Sequence, residues 1–405
     1  MHKIPNTRTM SCGLLIKQGS KHEDEKTNGL SHLIEHLMLN VEGSRNSMYQ
    51  QLINEATFQG VVYNAATTKE STSFYFTGLA NSLECCIRAL SVIAVELRNF
   101  KAESLSNEKK VVIQEATSFY SSFNQIKERI SQALWGNVGI GKTIVGDIDN
   151  IKGATMEQLS EIIQSSYTPE NACLVIIGDI DYTKALNFVV EYLSKWEDQK
   201  ARDYEEVSNS ETGIYFKANN GNNSVLSVGF RAPAFNDDKR IGAEIVSTIL
   251  GDTSLESRLV QEIRVKRGLA YNLGSFTAFY ETRGTMGFTV VCGNNSIKEV
   301  VKVIMEEIYK VKEKGFTELE LKRAKKVLET KTILEINDLV SQLKFLGKCA
   351  LNGQLFSLEH EIRRINKIEV ADLFRISEDY FTEDNLGFAG IGNFNIDEII
   401  SILKF

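Results

Sequence analysis

Proline is scarce, with only Pro5, Pro169 and Pro233 in 405 residues. That scarcity leaves long helices and strands unbroken and excludes a proline-rich, extended architecture. The six cysteines, Cys12, Cys85, Cys86, Cys173, Cys292 and Cys349, are scattered, and no two stand at Cys-x-x-Cys spacing. A thiol redox pair and a cysteine zinc cluster are thereby disfavoured, and free thiols in a reducing compartment are expected. No apolar run approaches the roughly 18 residues that span a bilayer. The net charge of -7 lacks the basic footprint of a nucleic-acid binder. Met1-His2-Lys3-Ile4-Pro5-Asn6 has neither the apolar core of a signal peptide nor an Arg-rich leader, so the expectation is a cytoplasmic protein with no membrane or nucleic-acid partner. Histidine is also rare, yet two of the five fall within one five-residue window.

Hydrophobic residues make up 42% and charged residues 24% of the chain, as in ordinary globular proteins. A chain this long exceeds one ordinary core and reads as two domains. Periodicity places strands at residues 11–18, 60–63, 72–77 and 172–177. It places helices at 29–39, 82–97 and 156–166, and an unusually long one at 107–135. A polar stretch over 196–212 is the best linker, dividing the chain into residues 1–205 and 206–405.

The pattern then repeats. Tyr167-Thr168-Pro169-Glu170-Asn171 precedes an apolar strand ending at Gly178, and Phe381-Thr382-Glu383-Asp384-Asn385 precedes another ending at Gly392. The offset is 214 residues, and it also aligns the helix around Leu159 with that around Leu373. One offset held across separated points implies an internal duplication. The expected fold is α+β, with two homologous α/β sandwich domains whose mostly antiparallel sheets are covered by helices.

His32-Leu33-Ile34-Glu35-His36 lies on a predicted helix. Residues four apart share a helix face, so both imidazoles can reach one ion, and Glu35 can point at the same place. Catalytic zinc takes three protein ligands and leaves one position open. The flanking Leu33, Ile34 and Leu37 would bury the helix. The 214 offset puts Val246, Ile249 and Leu250 at the matching places of the second half, so only one repeat carries the constellation. Glu108 and Glu115, seven apart and on one face, each qualify as a third ligand. Apolar Val111, Val112 and Ile113 point to Glu115 as the more buried of the two.

The inverted zinc motif, with Glu108 and Glu115 some 70–80 residues later, resembles the pitrilysin/insulinase family of zinc peptidases. That family includes mitochondrial processing peptidase and small bacterial processing peptidases. Asn64-Ala65-Ala66-Thr67-Thr68-Lys69-Glu70, Gly229-Phe230-Arg231-Ala232-Pro233 and Arg264-Val265-Lys266-Arg267-Gly268-Leu269-Ala270-Tyr271 are similar to the family's segments too, so the likeness spans the chain. The resemblance implies His32, His36 and Glu115 as Zn2+ ligands, Glu35 as general base and Glu108 as supporting carboxylate. It implies that Arg264 and Tyr271 contact the substrate carbonyl, with the peptide added as a strand near Asn64 and Ala65. It further implies an endopeptidase of short or unfolded peptides, processing precursors within a clamshell homodimer whose sites are completed in trans. A heterodimer with a sister subunit and a non-catalytic scaffold are the alternatives. Two departures stand out: a short N-terminus without the usual first strand, and Met38-Leu39-Asn40-Val41-Glu42-Gly43 where the family runs into a Lys-Gly-Thr turn.

Overall fold

The computed structural model describes residues 1–40, 47–96, 100–197, 200, 204 and 211–404. Most of the 196–212 linker, and residues 41–43 of the departure after His36, therefore lie outside the described residues. The chain forms two compact units. One comprises Met1–Phe119, Lys142–Val207 and Leu334–Phe356; the other comprises Tyr120–Gly141, Ser208–Ile333 and Ser357–Phe405.

The first unit is built on β1 (His2–Lys3), β2 (Thr9–Ile16), β3 (Val62–Thr67), β4 (Thr72–Leu79) and β5 (Ala172–Gly178), in the order β1-β5-β2-β4-β3. The second is built on β6 (Ile214–Ala218), β7 (Asn223–Ala232), β8 (Ala270–Phe279), β9 (Gly284–Gly293) and β10 (Leu386–Gly392), in the order β6-β10-β7-β9-β8. Strand for strand the orders are the same. In each sheet the first-named edge strand pairs parallel and the remaining pairs are antiparallel. Even the register keeps the offset of 214 read from the sequence: Gly13↔Tyr75 becomes Ser227↔Thr289, and Cys12↔Ile176 becomes Leu226↔Gly390. The duplicated α/β architecture is thus expressed at single-residue precision. The first strand expected to be missing is present as the two-residue β1, against five residues in β6.

Alternation on β2 explains the layering. Met10, Cys12, Leu14 and Ile16 face a core shared with Leu30, Leu33 and Ile34 of the helix Leu30–Leu39. Leu15 faces the other way and packs with Tyr75, Val175, Ile177 and Leu343, the last on the helix Leu339–Leu351. All six cysteines are free, as expected, and five are buried.

The long helix expected over 107–135 is broken. It runs as Ala102–Ser121, a short 3-10 turn Phe123–Gln125, and then Ile126–Trp135. Ser122 Oγ accepts from the Asn124 amide, and Gln125 Nε2 donates to the carbonyls of Tyr120 and Ser122 at 2.6 and 3.1 Å. These bonds satisfy the groups a helix leaves orphaned at its ends, so the break is stable. Its consequence is topological. Ile126–Trp135 packs against β7 and β10 in the second unit, while Leu339–Leu351 packs against β2 and β5 in the first. No single cut of the chain separates the two units.

The Gly229-Phe230-Arg231-Ala232-Pro233 segment serves this packing. A Cβ on Gly229 would lie 2.6 Å from Ile130 Cγ1, so only glycine lets the helix come so close. Arg231 Nε and Nη2 both donate to the carbonyl of Leu134, in the last turn of that helix, and the guanidinium stacks over Trp135.

Candidate metal centre

The centre is built on the helix Leu30–Leu39. It begins after Gly29, whose φ of 104° suits glycine, and a Cβ there would lie 2.9 Å from Gly146 Cα. One buried carboxylate caps this start, beside the Thr27 carbonyl that accepts from Leu30 N. Glu23 Oε2 accepts from Gly29 N and Asn28 Nδ2, both at 2.9 Å, and Oε1 accepts from Ser31 N at 2.7 Å. A carboxylate at a helix N-terminus is favoured by both the amides and the dipole. Lys142 Nζ donates to the Glu23 carbonyl at 2.7 Å, tying a distant loop to the same point. Leu33, Ile34 and Leu37 are fully buried, each side chain contributing about 1.5–3 kcal/mol relative to exposure.

From this anchored helix His32 and His36 project side by side, their ring centroids 4.8 Å apart and nearly perpendicular. Glu115, on the helix Ala102–Ser121, reaches both: its Oε2 lies 3.8 Å from His32 Nε2 and 3.4 Å from His36 Nε2. One potential ligand atom from each of the three lies within 4.8 Å of the others. Three donors held about 2.1 Å from a tetrahedral zinc sit about 3.4 Å apart, so this donor set fits that ion. Among the described residues no other group of three His, Cys, Asp or Glu side chains converges in this way.

Glu108 approaches His36 from the other side, with its Oε2 3.4 Å from Nδ1. Its second oxygen accepts from Asn40 Nδ2 at 2.6 Å. An imidazole whose Nδ1 faces a carboxylate keeps its proton there and offers Nε2 as the ligand atom. Asn40, at the departure after His36, therefore has a structural task that the sequence did not announce. The expectation that Glu115 is the more buried glutamate is overturned. Its side chain is 51% exposed, against 13% for Glu108. Residues adjacent in sequence occupy different helix faces, and of the apolar trio cited for burial only Val112 is fully buried.

Glu35 is buried and its Oε2 accepts from the Thr67 hydroxyl at 2.6 Å. Burial pushes its carboxyl up, opposed by Thr67 and His36 and assisted by Glu115. Asn64 and Ala65 lie on β3, the edge strand that ends at Thr67, with Asn64 exposed and Ala65 buried.

Arg264 and Tyr271 come together in the second unit. Arg264 sits in a widened, π-helical turn, Val260–Lys266, a form common at functional positions. Gly268, with φ of 61°, turns the chain into β8. The β8–β9 register slips between Ala270 and Asn272, which leaves Tyr271 as a bulge residue. Bulges re-aim side chains, and Tyr271 is 80% exposed with the Arg264 guanidinium 4.3 Å above its ring. Both line a cavity of about 240 Å³ with Thr253, Val260, Asn272 and Leu273.

Residues 1–148 match the insulinase family (peptidase family M16), and residues 153–328 match the peptidase M16 inactive domain. The chain belongs to the insulinase family. Its M16 relatives include an uncharacterised zinc protease of Mycobacterium leprae, 26% identical over 374 residues covering 91% of this chain and 83% of the relative. The zinc protease YmxG of Bacillus subtilis is 24% identical over 94% of this chain and 92% of its own length. The mitochondrial-processing peptidase subunit beta of Dictyostelium discoideum is 23% identical over 94% and 84%. Among solved structures, a protease from Helicobacter pylori superposes with a TM-score of 0.87 at 18% identity, covering 96% of both chains. A peptidase M16 inactive domain from Pseudomonas fluorescens gives 0.85 at 18%, covering 96% of this chain and 94% of its own. These structures speak for the fold.

In this M16 chain, burial and then the neighbouring His36 hold His32 down at about 4, below the usual value of about 6.5. The fold thus favours the neutral imidazole that ligates metals. Between those two pH values the unfolded, metal-free chain binds a proton at His32 that the folded chain does not. Stability present above pH of about 6.5 is therefore lost as pH falls towards about 4, by roughly 3 kcal/mol. Urea unfolding of the metal-free protein at pH 7 and pH 4.5 should show this loss, and His32→Gln should remove most of it. Equal losses in both proteins would assign the effect elsewhere.

Proposed function

We propose that this chain is a zinc-dependent metalloendopeptidase acting on short or unfolded peptides, in the trimming or maturation of precursors. The observation that carries the reading is the convergence of His32, His36 and Glu115 on one point, with Glu35 near enough to interact electrostatically with His36 and Glu115. His32, His36 and Glu115 hold the ion, and Glu108 keeps His36 oriented. The family match and the relatives named zinc proteases support the same chemistry.

The peptide adds as a strand along the edge strand β3, beside Asn64 and Ala65. Zinc held at the centre supplies Lewis acidity towards a water and towards the scissile carbonyl. Glu35 takes the proton of the attacking water and passes it to the leaving amine. The Tyr271 hydroxyl donates to the developing oxyanion, and Arg264, stacked on its ring, keeps the phenol in place. Residues 1–205 carry the metal function and residues 206–405 the Arg264–Tyr271 clamp, which is supplied by a second copy in a homodimer. A heterodimer is the second reading, favoured by the relative that is itself named as a subunit. A purely structural role would not require three ligands and a base to converge. The free thiols suit a reducing compartment such as the cytoplasm, and among the described residues no helix is long and apolar enough to cross a membrane.

Metal analysis combined with a quenched unstructured peptide tests the reading. The purified, zinc-loaded chain should carry one zinc and cleave. Glu115→Gln should lose the metal, whereas Glu108→Gln should retain it with affinity weakened about 10–100-fold. A chain that cleaves nothing when zinc-replete would sink the enzyme reading. Zinc kept by Glu115→Gln and lost by Glu108→Gln would reverse the two glutamates.

A further inference from the structure

We infer that Thr67 is a positioning residue for Glu35, and that the turn closing the β3–β4 hairpin exists in its present form to hold that threonine still. The inference rests on Glu35 being the general base and adds the device that aims it.

Three observations carry it. The first is the bond itself, from Thr67 Oγ1 to Glu35 Oε2 at 2.6 Å, short as expected for a hydroxyl donating to a carboxylate. The second is its direction. Thr72 is paired with Thr67 across the hairpin, and their hydroxyl oxygens lie 3.5 Å apart. The single hydroxyl proton of Thr72 is committed to the Gln18 carbonyl at 2.8 Å. An ionised carboxylate only accepts, so the Thr67 proton goes to Glu35. Thr67 therefore donates its hydroxyl to Oε2, and its main-chain amide adds a second hydrogen bond to the same carboxylate.

The third observation is how firmly the donor is mounted. Thr67 is the last paired residue of β3. The Thr68 amide donates to the Ser71 carbonyl at 2.8 Å, and Thr68 Oγ1 accepts from the Glu70 and Ser71 amides. The outer side of the turn is tied as well, because the amides of Ser20 and Lys21 donate to the carbonyls of Thr68 and Lys69. The buried Lys69 ammonium donates to the carbonyl of Lys142, and Lys142 in turn donates to Glu23, the cap of the metal helix. Base and donor thus stand on two elements joined by a hydrogen-bonded chain, which is what a fixed catalytic geometry requires.

An incidental strand threonine would tolerate valine, which has its shape and β-propensity without the hydroxyl. Thr67→Val should instead keep one zinc per chain and leave KM within about twofold, while kcat falls about ten- to a hundredfold, the range of a charge-assisted hydrogen bond. Thr67→Ser restores the hydroxyl and should recover kcat to within a few-fold. Crystal structures of metal-free wild type and Thr67→Val should show the Glu35 carboxylate ordered in the first and displaced or split in the second. Should the valine variant fail to fold, Thr67→Ala takes its place. An unchanged kcat, a loss confined to KM, or serine failing to rescue would each overturn the inference. If the zinc-replete wild type cleaves nothing, the enzyme reading fails by itself, and an undisturbed Glu35 in metal-free Thr67→Val would then overturn the positioning role separately.

Discussion

Glu35→Gln should reduce kcat by about 10²–10⁴-fold while the chain still holds its zinc, because the change removes a base without removing a ligand. Glutamine keeps the volume of glutamate, and its amide oxygen can still accept from the Thr67 hydroxyl that now bonds Glu35 Oε2. What it cannot do is take a proton. The ligands His32, His36 and Glu115 are untouched, so the metal content should match wild type. Stability should change little or improve, since burial opposes the charge that the substitution removes. The contrast with Glu115→Gln then separates losing a base from losing an ion. Quenched-peptide turnover beside metal analysis reads both, and cleavage surviving at more than a tenth of wild type with full zinc would reject Glu35 as the base. The pH profile offers a second check on the same group. Its acidic limb should follow the loss of the ionised Glu35 and should change shape in the glutamine variant.

Some of this was open to a reader of the sequence and some was not, and the division follows the range of the interactions. His32, Glu35 and His36 lie within one helical turn of each other, so their common face follows from helix geometry alone. The duplication was equally legible, because a single offset survives in strand, helix and register. Glu108 and Glu115 mark the limit. Their spacing placed both on one face, but which one meets both imidazoles depends on where the helix Ala102–Ser121 passes Leu30–Leu39, a relation that no local pattern encodes. Apolar neighbours in sequence were a poor guide to burial there for the same reason.

The broken helix is a second instance. Periodicity reports an amphipathic helix and says nothing about which sheet receives its apolar face. Ser122 and Gln125 end one helix and start another, and the second covers the other unit's strands. Tyr271 is a third, because its exposure comes from a one-residue slip between β8 and β9. Thr67, Asn40 and Glu23 escaped notice because a threonine, an asparagine and a glutamate are ordinary surface residues until the fold brings a carboxylate, an imidazole or a helix end against them.

Mixing two inactive variants should restore activity if the clamp is supplied by a second chain. Tyr271→Phe removes one oxyanion donor and should cost about 10²–10³-fold in kcat, with the zinc content unchanged because the tyrosine belongs to the second unit. Glu35→Gln is inactive for the separate reason given above. In a two-fold symmetric dimer each site takes its base from one chain and its tyrosine from the other. A mixed dimer then contains one site with both lesions and one with none. Equal mixing makes half the dimers mixed, each with one intact site of two, so activity should return to about a quarter of wild type. Bulge geometry makes the phenol a suitable donor to a partner, since Tyr271 is 80% exposed in its own chain. Sites completed within one chain would stay silent on mixing, because every chain carries a lesion. A heterodimeric enzyme would stay silent too, and would respond only to its sister subunit. Recovery on mixing, with a solution mass of two chains, therefore selects the homodimer from all three arrangements, and its absence in a proven dimer rejects assembly of the site in trans.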